Sequence, residues 1–233
     1  MQAASRSRTL DPENLDALAT WLAGVLDARR VSLTEAVLLG GGAIQENWRI
    51  VADVAGGPRE GRHEWVLRTD AVARISLGLD REGEFGVLKA AHVAGVSVAE
   101  PIARCGDPAI IGAPFLIQAF VPGVAQARRI VRDPALKEYG ESLAERLGVE
   151  LAKIHSISPM RNDLGFLPIP MLPPARNEVA RLRNALSGAT EPRPALEYVL
   201  AWLDAHAPEP GPISLVHGDF RTGNYMVNNG KLG

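Results

Sequence analysis

The feature that most constrains this chain is the run His217-Gly218-Asp219-Phe220-Arg221-Thr222-Gly223-Asn224, which follows the apolar stretch Ile213-Ser214-Leu215-Val216. A short apolar stretch of this kind reads as a buried strand, and Gly218 permits a sharp turn where it ends. The fold then has to deliver a carboxylate and a carboxamide, five positions apart, on one short loop. That pairing suits phosphoryl transfer. Asp219 is able to orient a hydroxyl and accept its proton, and Asn224 offers a carbonyl oxygen to a hard cation such as Mg2+. Without such chemistry the same two residues would cap a turn and precede a strand. His217 reads as a residue that holds the loop backbone rather than as the base.

The rest of the chain sets the frame for this loop. Residues 1–10 read as a polar, flexible tail. Asp11 followed by Pro12 reads as a helix cap and first helical position, and Leu15, Leu18, Leu22 and Val25 keep helical spacing to about Leu26. Val37-Leu38-Leu39, the segment 40–47 with its three glycines, and Trp48-Arg49-Ile50-Val51-Ala52 read as strand, glycine-rich connection and strand. After the Gly56-Gly57-Pro58 turn, residues 64–68 give a third strand. A helix is expected from Asp80 to about Ala94, an extended stretch from Glu100, and a buried strand over 115–120 that Val121-Pro122-Gly123 breaks. Further helices are expected over 143–155, 177–186 and 194–206. A strand is expected over 213–216, and a hairpin around Asn228-Asn229-Gly230. Strands first and helices later give an α+β chain in two lobes. The domain boundary is drawn after Phe120, separating residues 1–120 from residues 121–233.

Composition excludes several classes. The net charge is -2, from 25 basic and 27 acidic residues, so bulk charge points to neither nucleic acid nor an anionic membrane. Cys105 is the single cysteine, which fits a reducing, cytoplasmic setting. No stretch approaches the roughly 18 apolar residues that a bilayer span needs. The His and Cys residues lack zinc-ligand spacing, and neither a serine-hydrolase elbow nor a P-loop is present.

Three further positions carry weaker signals. The glycines at 40–42 let a backbone approach phosphate oxygens, or form a plain hairpin turn. Arg68, at the end of a strand, is placed to meet phosphates, or is an ordinary surface arginine. Glu82 and Glu84 sit in a first helical turn, where the helix dipole alone favours carboxylates.

In this order, these pieces resemble the aminoglycoside phosphotransferase family, whose fold is protein-kinase-like. The closest branch is similar to the kinase-like domain fused to certain acyl-CoA dehydrogenases and its bacterial stand-alone relatives. The resemblance covers about residue 11 to the end. It implies an antiparallel-sheet N-lobe and a mainly helical C-lobe, with ATP (or GTP) and Mg2+ as cofactors and a small-molecule hydroxyl as acceptor. By the same resemblance Asp219 is the catalytic base and Asn224 a metal ligand. Gly41, Gly42 and Ala43 cover the phosphates, Glu82 orients Arg68, and Gln118 and Phe120 mark the hinge at the nucleobase. Arg68 stands where the family usually has lysine, and its planar fork changes the geometry of phosphate contact.

The family's acidic metal ligand follows the hairpin, and a helical region follows that. Here the chain ends at Gly233. The helical lobe is therefore expected to be truncated, with weakened metal and substrate binding and apolar surface that favours homo-oligomer formation. Over 175–209, Glu178, Glu191, Glu197, Asp204 and Glu209 are offset by Arg176, Arg181, Arg183 and Arg193. That balance favours a neutral or anionic acceptor over a polycation. A non-catalytic kinase-like nucleotide-binding module is the alternative, and a hydrolase that uses Asp219 to activate water is a third reading.

Overall fold

A computed structural model describes residues 10, 12–40, 45–70, 79–137, 139–188 and 191–232. They divide into two compact units, Met1–Ile157 with Val216–Gly233, and Ser158–Leu215. The boundary drawn after Phe120 on the sequence lies inside the first unit.

The first unit is built on an antiparallel sheet of five strands, in the order β1-β2-β3-β5-β4. The strands are β1 (Arg30–Leu39), β2 (Gln45–Ala55), β3 (Gly61–Asp70), β4 (Pro101–Cys105) and β5 (Phe115–Ala119). Successive side chains on a strand point to opposite faces, and here the two faces differ in chemistry. Trp48, Ile50, Ala52 and Val54 of β2 join Trp65 and Leu67 of β3, and Phe115 and Ile117 of β5, in the main core. Helix α1 (Pro12–Val25) covers that face with Leu18 and Leu22, both fully buried. Each contributes roughly 1.5–3 kcal/mol by leaving water. Trp21 meets Phe115 edge to face, 5.1 Å between ring centres. The residues between them in sequence line the other face. Register sets Asn47 opposite Arg68, and Arg68 opposite Leu116. Arg49 lies opposite Val66, and Val66 opposite Gln118. This face sets Asn47, Arg68 and Gln118 among the buried Val51, Val66 and Leu116, and it carries the clamp.

Helix α2 (Arg81–Val93) joins β3 to β4 and follows from its caps. The Asp80 carboxylate accepts the Gly83 N–H at 2.8 Å, and Gly95 ends the helix at φ +76°. After β5 come α3 (Ala127–Arg132), α4 (Pro134–Lys137) and α5 (Gly140–His155). Ile130 and Leu143 bury themselves against Val227 in a second small core. Val227 opens the terminal hairpin of β6 (Val227–Asn228) and β7 (Lys231–Leu232). Its turn residues Asn229 and Gly230 both have positive φ, 49° and 72°, as a two-residue type I′ turn requires.

The second unit holds a short 3-10 turn (Asn162–Leu164), α6 (Pro174–Leu186) and α7 (Pro194–Ala205). Both helices begin on proline, whose missing N–H costs nothing there. Arg183 of α6 faces Glu197 and Asp204 of α7 at 4.0 and 3.8 Å. The strand expected over 213–216 does not form. These residues are irregular, and Ile213 and Val216 are exposed. An apolar run without a neighbouring strand has nothing to pair with. Among the described residues no helix is long and apolar enough to cross a membrane.

Candidate functional site

The candidate residues fall in two places, both in the first unit: a charged clamp between β3 and α2, and the loop that precedes the terminal hairpin.

In the clamp, Arg68 donates through Nε to Asn47 Oδ1 at 3.1 Å and through Nη1 to Glu84. Glu84 also takes Arg81, which reaches back to Asp70 on β3 at 2.6 Å. The residue that orients Arg68 is therefore Glu84, not Glu82. Glu82 lies on the outer side of α2 and pairs with Arg104 of β4 at 2.7 Å. The reason is helical register. Glu84 steps by three, four and seven residues to Val87, Leu88 and the buried Ala91, whereas Glu82 shares its side with the exposed Lys89. That periodicity was present in the sequence and identifies the inward carboxylate.

Gln118 lies near the end of β5 and Phe120 just past it, and the backbone amides here are partly committed. Gln118 lies on β5 opposite Val66. The Phe120 N–H donates to the Glu64 carbonyl at 3.0 Å, and the Ala119 N–H to the Glu100 carbonyl at 2.8 Å. The Arg49 guanidinium covers the Phe120 ring, 5.4 Å from its centre. Neither of these two amides is left for a nucleobase. The Val121 N–H makes no hydrogen bond among the described residues and is the next donor along the hinge. Beside it, the Arg59 hydrogen bond holds the Glu100 carboxyl below its ordinary pKa, against the opposing effect of burial. Gly41, Gly42 and Ala43 lie outside the described residues.

The loop is organised around Asp219. The Asn224 amide nitrogen donates to the Asp219 carbonyl at 2.8 Å and to its Oδ2 at 2.7 Å. Arg221 donates through Nε to both carboxylate oxygens, at 2.9 and 3.2 Å. The Asp219 N–H donates to His217 Nδ1 at 3.3 Å, so the histidine secures the loop backbone. Gly218 and Gly223, at φ +80° and +112°, supply the bends. Asp219 and Arg221 are 60% and 63% exposed, so water screens their attraction. The sequence reading missed Arg221 as a partner. Its signal was a cation two positions from the carboxylate in a tight loop.

The loop is moored to the end of the sheet. Val124 and Val227 exchange backbone hydrogen bonds at 2.8 and 2.9 Å. Gly123, four residues past β5, passes so close that a Cβ there would lie 2.7 Å from the Val227 carbonyl oxygen.

The residues fit a divalent cation in one limited way. Both Asn224 bonds to Asp219 use its nitrogen, which leaves its carbonyl oxygen for an incoming hard cation. Among the described residues no group of three or more carboxylate, His or Cys side chains forms a cage. Such a cation would take Asn224 together with phosphate and water oxygens. A groove of about 500 Å3 beside α1 and β1, lined by Asp16, Thr20, Arg29 and Arg30, holds none of the candidate site residues.

The sequence pattern of the phosphotransferase enzyme family (APH) matches residues 35–233, which include the sheet from the second half of β1 onward, the clamp and the loop. The chain belongs to that family. It is 30% identical over 161 residues to acyl-CoA dehydrogenase family member 10 of Mus musculus, a match that covers 64% of this chain. It spans only 14% of that relative's length. Among solved structures, this family member superimposes on a candidate aminoglycoside phosphotransferase from Ralstonia eutropha JMP134 with a TM-score of 0.67 and 23% identity, over 91% of this chain and 60% of that one. It superimposes on the streptomycin–ATP–APH(2")-IIa ternary complex with a TM-score of 0.55 and 15% identity, over 96% of this chain and 68% of the other. At these identities the structures establish the fold: an α+β chain of the aminoglycoside phosphotransferase, protein-kinase-like kind.

Proposed function

We propose that the chain belongs to an ATP-dependent phosphotransferase that moves the γ-phosphate to a hydroxyl of a small molecule. One observation carries this reading: Asp219 and Asn224 are bonded to each other at 2.7 Å on an exposed loop that is moored beside the end of β5. In this reading Asp219 orients the acceptor hydroxyl and takes its proton as the oxygen attacks phosphorus. Asn224 holds Asp219 through its nitrogen and offers its oxygen to the metal. A bound Mg2+ would supply charge neutralisation at the phosphates. Arg68, fixed by Asn47 and Glu84, presents the Nη2 end of its fork to phosphate oxygens. Most of the acceleration in such a site comes from positioning and electrostatics.

The charge balance of α6 and α7 supports one acceptor class. Acidic residues of α6 and α7 are already matched by arginines, Glu178 with Arg181 and Glu197 and Asp204 with Arg183. This leaves little uncompensated negative charge there for a polycation, and supports a neutral or anionic acceptor such as a hydroxy acid. The test is an acceptor panel with ATP labelled at the γ-phosphate, on the chain and on its Asp219→Ala variant. Label transfer that depends on acceptor and drops at least ~100-fold in the variant supports the reading. Undiminished transfer in the variant rejects it.

The alternative is a nucleotide-binding module without turnover. It is favoured by Arg221, which occupies both oxygens of the carboxylate that has to act as base. Nucleotide binding with no transfer to any acceptor would select it.

A further inference from the structure

The clamp contains one arginine that the proposed reaction does not use. Glu84 has two carboxylate oxygens, and each serves a different guanidinium: Oε1 accepts from Arg68 and Oε2 from Arg81. Arg81 then reaches back to the strand, donating from Nε and Nη2 to Asp70 Oδ1 at 2.9 and 2.6 Å. Its side chain is 6% exposed, against 26% for Arg68. A guanidinium so covered cannot meet a phosphate. A buried charge of this kind persists only when partners satisfy it, and here the partners are the two carboxylates that flank the site's own cation.

We infer that Arg81 is a positioning residue for nucleotide binding, acting through Glu84 on Arg68. The inference rests on the phosphotransferase reading. A carboxylate held on one oxygen only can still swing about its side-chain torsions. With its second oxygen tied to Arg81, and Arg81 tied to Asp70, Glu84 is fixed relative to β3. Asp70 and Arg68 lie two residues apart on that strand, so one strand carries both ends of the clamp. Orientation matters more for arginine than for lysine. A lysine ammonium is a compact point charge, whereas the guanidinium offers donors only in the plane of its fork. A chain that uses Arg68 gains from a second device that sets that plane, and Arg81 supplies it.

The experiment measures Mg-ATP affinity by calorimetric titration for the chain and for Arg81→Met, Glu84→Gln and the double variant, with thermal melting to establish folding. The expected result is a roughly tenfold loss in Arg81→Met that shrinks below about twofold when Glu84→Gln is already present. An equal loss in both backgrounds would mean that Arg81 acts by general stabilisation, and would overturn the inference. So would unchanged affinity in folded Arg81→Met. If Arg81→Met does not fold, Arg81→Lys and Asp70→Asn slacken the same clamp and face the same comparison. A wild-type chain that binds no nucleotide defeats the phosphotransferase reading, and the inference falls with it. Binding by the wild type without coupling defeats the inference alone.

Discussion

Replacing Gly123 with alanine should loosen the mooring of the Asp219 loop. Two costs can be read from the backbone. Gly123 sits at φ +144°, a region that side chains rarely adopt, and such strain costs about 1–3 kcal/mol. The new Cβ would also lie 2.7 Å from the Val227 carbonyl oxygen and 3.0 Å from its carbon. Backbone cannot rotate aside as a flexible side chain can, so relief needs Val124 and Val227 to separate. Overpacking of this kind costs about 1–3 kcal/mol. Separation instead gives up two hydrogen bonds of about 0.5–1.5 kcal/mol each, a similar sum. The total is about 2–6 kcal/mol, or a fall of roughly 4–24 °C in Tm for a chain of this size. Gly106→Ala is the control, because a Cβ there meets nothing within 4 Å and its φ is not in the left-handed region. Hydrogen exchange gives the local readout, since the Val124 and Val227 amides are the two donors of the bridge. Both should exchange faster in Gly123→Ala, with little change at the β2–β3 pairing. A melting temperature within about 1 °C of the control, with protected amides at 124 and 227, would refute the reasoning.

Gly230→Ala places a Cβ 2.3 Å from Cγ of the Tyr139 ring at φ +72°, and should cost about 2–4 kcal/mol in urea denaturation. Adding Tyr139→Ala should return the clash part of that loss. Glu150 ties α5 to the segment after α2 by accepting the Ser97 N–H at 2.7 Å, and it also accepts from Lys153 at 2.8 Å. Burial raises its pKa, but the Lys153 and Ser97 bonds together outweigh that and hold it below the ordinary value. The stabilisation is thus full above the ordinary glutamate pKa and is lost as pH falls through the lowered one. Glu150→Gln should cost about 1–2 kcal/mol near pH 7, and melting curves of the two proteins should converge in strong acid. Between the two α2 carboxylates, Glu84→Gln should weaken Mg-ATP binding about tenfold in titration, and Glu82→Gln less than about twofold.

Much of the framework was legible because local chemistry and tertiary packing agree. The Asp80 cap and Gly95 bounded α2, and the helical spacing of α1 named Leu18 and Leu22, which bury against the sheet, along with Val25, which is exposed. Asn229-Gly230 announced the hairpin, and the loop spacing brought Asp219 and Asn224 within one hydrogen bond. Failures came where a contact from elsewhere decides. Ile213 to Val216 has the apolar content of a strand, but a strand exists only with a partner, and these residues pair with none among the described residues. Glu82 and Glu84 are different: the phase of α2, legible in the sequence, sends Glu84 inward, and composition alone hides it. Helix α3 was missed because five of its six residues are exposed, with Ile130 alone buried. The first half of β1 was missed because its burial alternates weakly, and a register shift between Leu33 and Glu35 interrupts it.

That interruption has a use of its own. β1 is an outer strand ten residues long, paired among the described residues with β2 on one side. A straight edge of that length would present a row of open amides and carbonyls to any other extended chain. The irregularity at Thr34 breaks the row into two shorter stretches and turns an exposed Glu35 outward beside Arg49. Self-templating from this side of the sheet would therefore have to begin on about half a strand, against a charged side chain at its middle.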